Sequence, residues 1–133
     1  MRRGFITGCF DVLHVGHIAI LKYSKSHCDH LTVALDTDER VSAAKGPDRP
    51  FNVLSDRKAV IKSIKYVDEV KIFSSDRELR DLIKEAQTDV LIVGSDWEGK
   101  PIIGEEYAKE LKYFRRIHGH STTRILENTT DRR

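Results

Sequence analysis

Residues 4–35 read GFITGCFDVLHVGHIAILKYSKSHCDHLTVAL, and the fold follows from this stretch. GFITGCF (4–10) and LTVAL (31–35) are short apolar runs of strand length with β-branched content. Between them Ile18, Leu21, Lys22 and Tyr23 recur at helical spacing, and 15–27 carries no proline and no glycine after Gly16. The unit is strand, helix, strand.

Moving outward, the pattern repeats. A helix begins near Ser55 and continues through Ala59 to Ile64, and VDEVKIF (67–73) alternates like a strand. Leu79, Leu82, Ile83 and Ala86 mark another helix face, and VLIV (90–93) is the next strand. Apolar runs without alternation suit strands covered on both faces, and strands alternating with helices imply parallel, right-handed crossovers. Four strands are legible, and the expectation is a doubly wound α/β fold, Rossmann-like, forming one domain over 1–133, with a fifth strand completing a parallel sheet in the order 3-2-1-4-5. Two connections are rich in turn and charged residues: 36–54, with Lys45-Gly-Pro-Asp-Arg-Pro50, and 94–104, with Gly94-Ser-Asp-Trp-Glu-Gly-Lys-Pro101. Open α/β sheets bind ligands at the carboxyl ends of their strands, so both loops and the turn after the first strand should meet in one crevice.

Composition narrows the function classes. With 133 residues and a net charge of +2, the chain has neither the basic excess of a nucleic-acid binder nor an apolar stretch long enough to span a membrane. Cys9 and Cys28 form no CxxC pair, and the apolar segment after the basic Met-Arg-Arg start is broken by Asp11 and His14, unlike a signal peptide. A cytoplasmic protein whose mature chain starts near residue 1 is expected.

The chemistry concentrates in Gly8-Cys-Phe-Asp-Val-Leu-His-Val-Gly-His17, where the first strand turns into the first helix. Free N–H groups and the positive end of the helix dipole attract anions there, and Gly16 lets a phosphate approach the backbone. His14 and His17, three apart, can share a helical face and donate hydrogen bonds to phosphoryl oxygens that gain charge in a transition state. Taken alone, two histidines at this spacing could equally cap or cover the helix. Lys45, Arg49 and Arg57 offer cations for two phosphorylated ligands, although basic residues are most often simply solvated. Ser121 is a natural helix N-cap, and Ser121, Thr122 and Thr123 hydroxyls with nearby N–H groups can hold phosphates.

Gly8 to His17 resembles the GxFDxxHxGH signature of the cytidylyltransferase-like nucleotidyltransferases, and Arg116-Ile-His-Gly-His-Ser-Thr-Thr-Arg-Ile125 resembles that family's RxxGxSTTxI segment. Within the family the chain is most similar to glycerol-3-phosphate cytidylyltransferases, through GCFDVLHVGHIAIL, Tyr66-Val-Asp-Glu-Val70, Asp96-Trp-Glu-Gly-Lys100 and GHSTTRI. The resemblance implies CMP transfer from CTP to glycerol 3-phosphate, with pyrophosphate released and Mg²⁺ carried on the triphosphate. It implies that His14, His17, Lys45 and Arg116 are catalytic and that Gly8, Cys9, Phe10, Asp11, Gly16, Asp96, Trp97, Gly119, Ser121, Thr122 and Thr123 surround the nucleotide. Lys45, Arg49, Arg57, Lys65, Arg77 and Arg80 are candidate contacts for the acceptor. A homodimer serving cell-surface polysaccharide synthesis is also implied.

Three departures bear on substrate: Cys9 stands where the family has threonine, Lys65 where it has arginine, and the Lys45 loop is two residues longer. That loop, KGPDRPFN, is similar to the KGxxRPxN of the adenylyltransferase half of heptose-phosphate enzymes, so an adenylyltransferase or cytidylyltransferase acting on a heptose-type sugar phosphate is the rival reading. Other classes fit the sequence less well. A metal site built from Cys9, His14, His17 and Cys28 lacks a second compact ligand pair. A non-catalytic nucleotide-binding module would not need both a dihistidine turn and a separate triphosphate clamp. Hydrolysis through Ser121 or Cys9 lacks a GxSxG-like elbow.

Overall fold

The computed structural model describes residues 1–115. Five strands, β1 (Arg3–Gly8), β2 (His30–Asp36), β3 (Glu69–Phe73), β4 (Val90–Gly94) and β5 (Glu110–Phe114), form one parallel sheet in the order β3-β2-β1-β4-β5. The expected order holds, and the fold is doubly wound and Rossmann-like. Helices α1 (Val15–Ser26), α2 (Asp38–Lys45), α3 (Leu54–Lys62) and α4 (Asp76–Glu85) fill the first three crossovers, and two 3-10 turns, Ser95–Trp97 and Glu105–Tyr107, lie in the fourth.

The period of two along the strands divides the core into two layers. Ile6, Leu31, Val33, Leu35, Val90 and Ile92 pack with Leu21 of α1 and Ile61 of α3. Their alternates Phe5, Ala34 and Leu91 pack with Leu79 and Ile83 of α4 on the opposite face. All of these are at most about a twentieth exposed, and each burial of this kind is worth about 1.5–3 kcal/mol for a large aliphatic or aromatic side chain.

The structure corrects two boundaries. The first strand stops at Gly8 and not at residue 10, because Phe10 takes φ 48°, which no strand accommodates. The 36–54 connection contains α2, which Thr37 begins by accepting the Arg40 N–H on its side chain and Gly46, at φ 109°, ends.

A repeated device fixes the amino edge of the sheet. Asp29, Asp68 and Asp89 each stand immediately before a strand, and each carboxylate accepts a backbone N–H from a neighbouring strand's start: Arg2, Leu31 and Arg3, at 2.7, 2.8 and 2.7 Å. These bonds satisfy donors that the ladder leaves open at its first residues. The carboxyl edge is thereby left for loops with other work.

Candidate active site

Strand β1 lies at the centre of the sheet, with β2 on one side and β4 on the other, so the chain reverses its winding direction beside Gly8. The β1–α1 turn is tightly bent. Phe10 and Val12 have φ of 48° and 53°, a left-handed conformation unfavourable for a β-branched residue and of the kind that costs about 1–3 kcal/mol. Gly8 permits the bend, since a Cβ there would lie 2.9 Å from the Phe10 ring.

The two histidines close a capping box. His14 is the N-cap of α1 and its Nδ1 accepts the Gly16 N–H at 3.0 Å, while His17 Nδ1 accepts the His14 N–H at 3.1 Å. A nitrogen that accepts carries no proton, so in the neutral rings the hydrogen sits on Nε2. The ring centroids are 3.9 Å apart, and Phe10 tilts against His17 at 5.4 Å. The same bonds that cap the start of α1 therefore also orient both rings and set which nitrogen can donate. No acidic residue stands in the first turn of α1, which leaves the dipole's positive end unneutralised.

Lys45, the last residue of α2, brings its ammonium to 3.0 Å from the Cys9 sulfur, placing a cation at the turn. Arg49 approaches from the following loop, with Nε 3.5 Å from Asp11 Oδ2. Cys9, Phe10, His14, Gly16, His17, Lys45 and Arg49 thus surround one turn at the carboxyl edge.

Asp11 and Arg57, expected to touch ligand, take another role. Asp11 is fully buried and its oxygens accept the Phe51 and Asn52 N–H groups at 2.5 and 2.8 Å, pinning the 49–52 loop beneath the turn. Arg57 is 1% exposed. Its guanidinium donates to the carbonyls of Cys9 (3.0 Å), Asp36 (2.9 Å) and Asn52 (3.1 Å) and to the Asp38 carboxylate (2.7 Å). One buried cation therefore ties together the ends of β1 and β2, the start of α2 and the loop before α3. Asp38 also accepts the Leu54 N–H at 3.2 Å, supplying the cap that Val53 cannot give α3.

Asp96 and Trp97 occupy a 3-10 turn directly after β4, also at the carboxyl edge, with Trp97 half exposed and Lys100 over its ring at 5.8 Å. Lys65 is a correction: it lies in the turn between α3 and β3, against the Tyr66 ring, at the amino edge of the sheet. In a parallel sheet every helix-to-strand connection falls there, opposite the ligand edge. Arg77 and Arg80 sit on α4, across the sheet from α1, and Arg80 Nε lies 3.7 Å from Glu106. Arg116, Gly119, Ser121, Thr122 and Thr123 lie outside the described residues.

Cys28 is remote from Cys9. It packs where a Cβ on Gly4, near the start of β1, would meet its sulfur at 2.6 Å, so it cannot join the histidines around an ion. Desolvation pushes its thiol above the ordinary value despite the nearby Lys25 ammonium.

The family model described as cytidylyltransferase-like matches residues 5–130. The bifunctional protein HldE of Campylobacter fetus subsp. fetus is 42% identical over 122 residues, covering 92% of this chain and 26% of its own length. The bifunctional protein HldE of Sulfurimonas denitrificans is 43% identical over 123 residues, with 92% and 26% covered. The chain thus spans about a quarter of the length of these relatives. Among solved structures, the lipopolysaccharide core biosynthesis protein of Thermoplasma volcanium superposes with a TM-score of 0.70 at 26% identity, covering 88% of this chain and 99% of that one. Pantothenate synthetase of Thermus thermophilus, at 10% identity and a TM-score of 0.59 over 88% of this chain and 56% of that one, shares the fold. From its histidine-capped turn to the match over residues 5–130, the chain belongs to the cytidylyltransferase-like nucleotidyltransferases.

Proposed function

We propose that this chain transfers AMP from ATP to a heptose-type sugar phosphate, releasing pyrophosphate. The observation that carries nucleotidyl transfer is the pair of histidines whose Nδ1 atoms accept backbone N–H groups, leaving two Nε2 donors at the positive end of α1. The sugar-phosphate reading is supported by the KGPDRPFN loop and by the HldE relatives. The loop is built into the site through Asp11 and Arg57, which supports a part for its two extra residues in acceptor choice. Glycerol 3-phosphate with CTP, the pair implied by the GCFDVLHVGHIAIL, Tyr66–Val70, Asp96–Lys100 and GHSTTRI segments together, is supported by neither the loop nor these relatives.

In the proposed reaction an oxygen of the acceptor phosphate attacks the α-phosphorus in line. A new P–O bond forms as the bond to the β-bridging oxygen breaks, and pyrophosphate leaves. The attacking phosphate is ionised at neutral pH and needs no general base. His14 and His17 donate from Nε2 to α-phosphate oxygens, and Lys45 and Arg49 offset the charge of the two ligands. Mg²⁺ would neutralise the outgoing phosphates. Among the described residues no three His, Cys, Asp or Glu side chains gather to hold an ion, so it would travel on the nucleotide.

Pyrophosphate release, measured with Mg²⁺ and each of ATP, CTP, GTP and UTP against a heptose 1-phosphate or sn-glycerol 3-phosphate, tests the assignment. Release that requires ATP and the heptose phosphate is expected. Release confined to CTP and glycerol phosphate would replace it with the other pair, and silence with every pair would point to another acceptor or to a binding-only protein.

A further inference from the structure

Asp36, the last residue of β2, is not used by the mechanism above. Its Oδ1 is buried without a hydrogen-bond partner among the described residues. A buried carboxylate oxygen left in this state is costly, and it is retained in proteins when a ligand, water or ion supplies the missing donor.

The position of Asp36 indicates the donor. The β1–β2 register ends with Gly8 opposite Leu35, so Asp36 is the residue that follows the last pair, at the carboxyl edge where β1 turns away into Cys9. Arg57 grips the carbonyls of Asp36 and Cys9 together and holds both at the carboxyl edge. Cys9 in turn touches the Lys45 ammonium. Asp36 and Lys45 thus both adjoin Cys9, one through the shared Arg57 guanidinium and one directly, on the β2 side of β1, whereas Asp96 and Trp97 follow β4 on the other side. A carboxylate repels phosphate and accepts from hydroxyl groups.

We propose that Asp36 is an acceptor-specificity residue: its Oδ1 accepts a hydrogen bond from a hydroxyl of the sugar whose phosphate sits at Lys45. This rests on the sugar-phosphate reading and adds to it which side chain reads the sugar. The recognised ligand is a polyhydroxylated phosphate, told apart from a bare phosphate by one buried acceptor.

Titration calorimetry with a heptose 1-phosphate and, separately, with inorganic phosphate tests this on wild type, Asp36→Ala and Asp36→Asn. The readout is the ratio of the two affinities, which cancels the change in net charge. In Asp36→Ala the preference for the sugar phosphate should fall by about tenfold to a hundredfold, as for loss of a hydrogen bond to a charged group. Asp36→Asn, which keeps an acceptor oxygen, should recover part of it. The thermal midpoint of Asp36→Ala should equal or exceed that of wild type, because a buried oxygen without a donor has been removed. An unchanged ratio, a lowered midpoint in Asp36→Ala, or an equal loss of nucleotide affinity would overturn the role of Asp36. Wild type that binds inorganic phosphate but shows no preference for the sugar phosphate would overturn the sugar-phosphate reading itself, and this inference with it.

Discussion

His17 Nδ1 accepts the backbone N–H of His14 at 3.1 Å, while His14 Nδ1 accepts that of Gly16 at 3.0 Å. The rings are thereby locked to the first turn of α1, 3.9 Å apart, with their tautomers set by the backbone. Groups held this way need no reorganisation when charge develops on a phosphoryl oxygen.

This dual use can be separated by substitution. His14→Asn keeps an N-cap oxygen for Gly16 and should retain stability, whereas His14→Ala should lose about 1 kcal/mol. Both should lower kcat by about a hundredfold or more with a small change in nucleotide KM, as should His17→Ala. Thermal melts and steady-state kinetics on the three variants check this, and an undiminished kcat in His14→Asn would assign the residue to capping alone.

Arg57 is the structural hub of the site. Arg57→Leu leaves three carbonyls without their donor, whereas Asp38 is partly exposed and regains water, so a loss of about 3 kcal/mol is expected. Urea unfolding measures it. A loss below about 1 kcal/mol would show that the network relaxes or fills with water.

The amino edge should be acid-sensitive. The Arg3 N–H, then Lys109, hold the Asp89 carboxyl below the ordinary range. Burial pushes Asp68 up, but the Lys25 ammonium and the Leu31 N–H outweigh it and leave it lowered as well. A depressed carboxyl contributes stability that is present above the unfolded value, ordinarily 3.8, and is lost as pH falls through the lower folded value. Melting temperatures should therefore drop on acidification through this window, less steeply in Asp68→Asn and Asp89→Asn, which are already weakened at neutral pH. Parallel slopes for wild type and both variants would show that these carboxylates do not set the acid response.

Val12 tests the strain in the turn. Its φ of 53° is unfavourable for a β-branched side chain and ordinary for asparagine. Val12→Asn should stabilise the chain by about 1 kcal/mol, raising Tm by about 4 °C. A fall in Tm would mean that Val12 packing outweighs its backbone strain.

The sequence made the central layers legible because buried parallel strands are written as apolar runs, such as LTVAL and VLIV, between helices of clear period. It hid α2, since DERVSAAK buries only Val41 and lies among turn-forming residues; Thr37 ahead of Asp38 and Glu39, with Lys45 and Gly46 at the end, was the signal available. The histidine turn was recognisable from residue type and spacing. The roles of Asp11 and Arg57 were not, because a charged residue reads the same in sequence whether it faces a ligand or pins a loop 40 residues away. Lys65 was misplaced for a related reason: only the handedness and edge of the sheet decide which connection meets the ligand.

Nucleotidyl transfer itself is tested most directly by ³¹P NMR of the protein mixed with Mg²⁺, ATP and a heptose 1-phosphate. A coupled pair of diphosphate-diester resonances should grow together with pyrophosphate in equal amount, and both should be lost in His17→Ala. Orthophosphate and ADP in their place, or a spectrum that stays unchanged with every nucleotide and acceptor tried, would contradict nucleotidyl transfer.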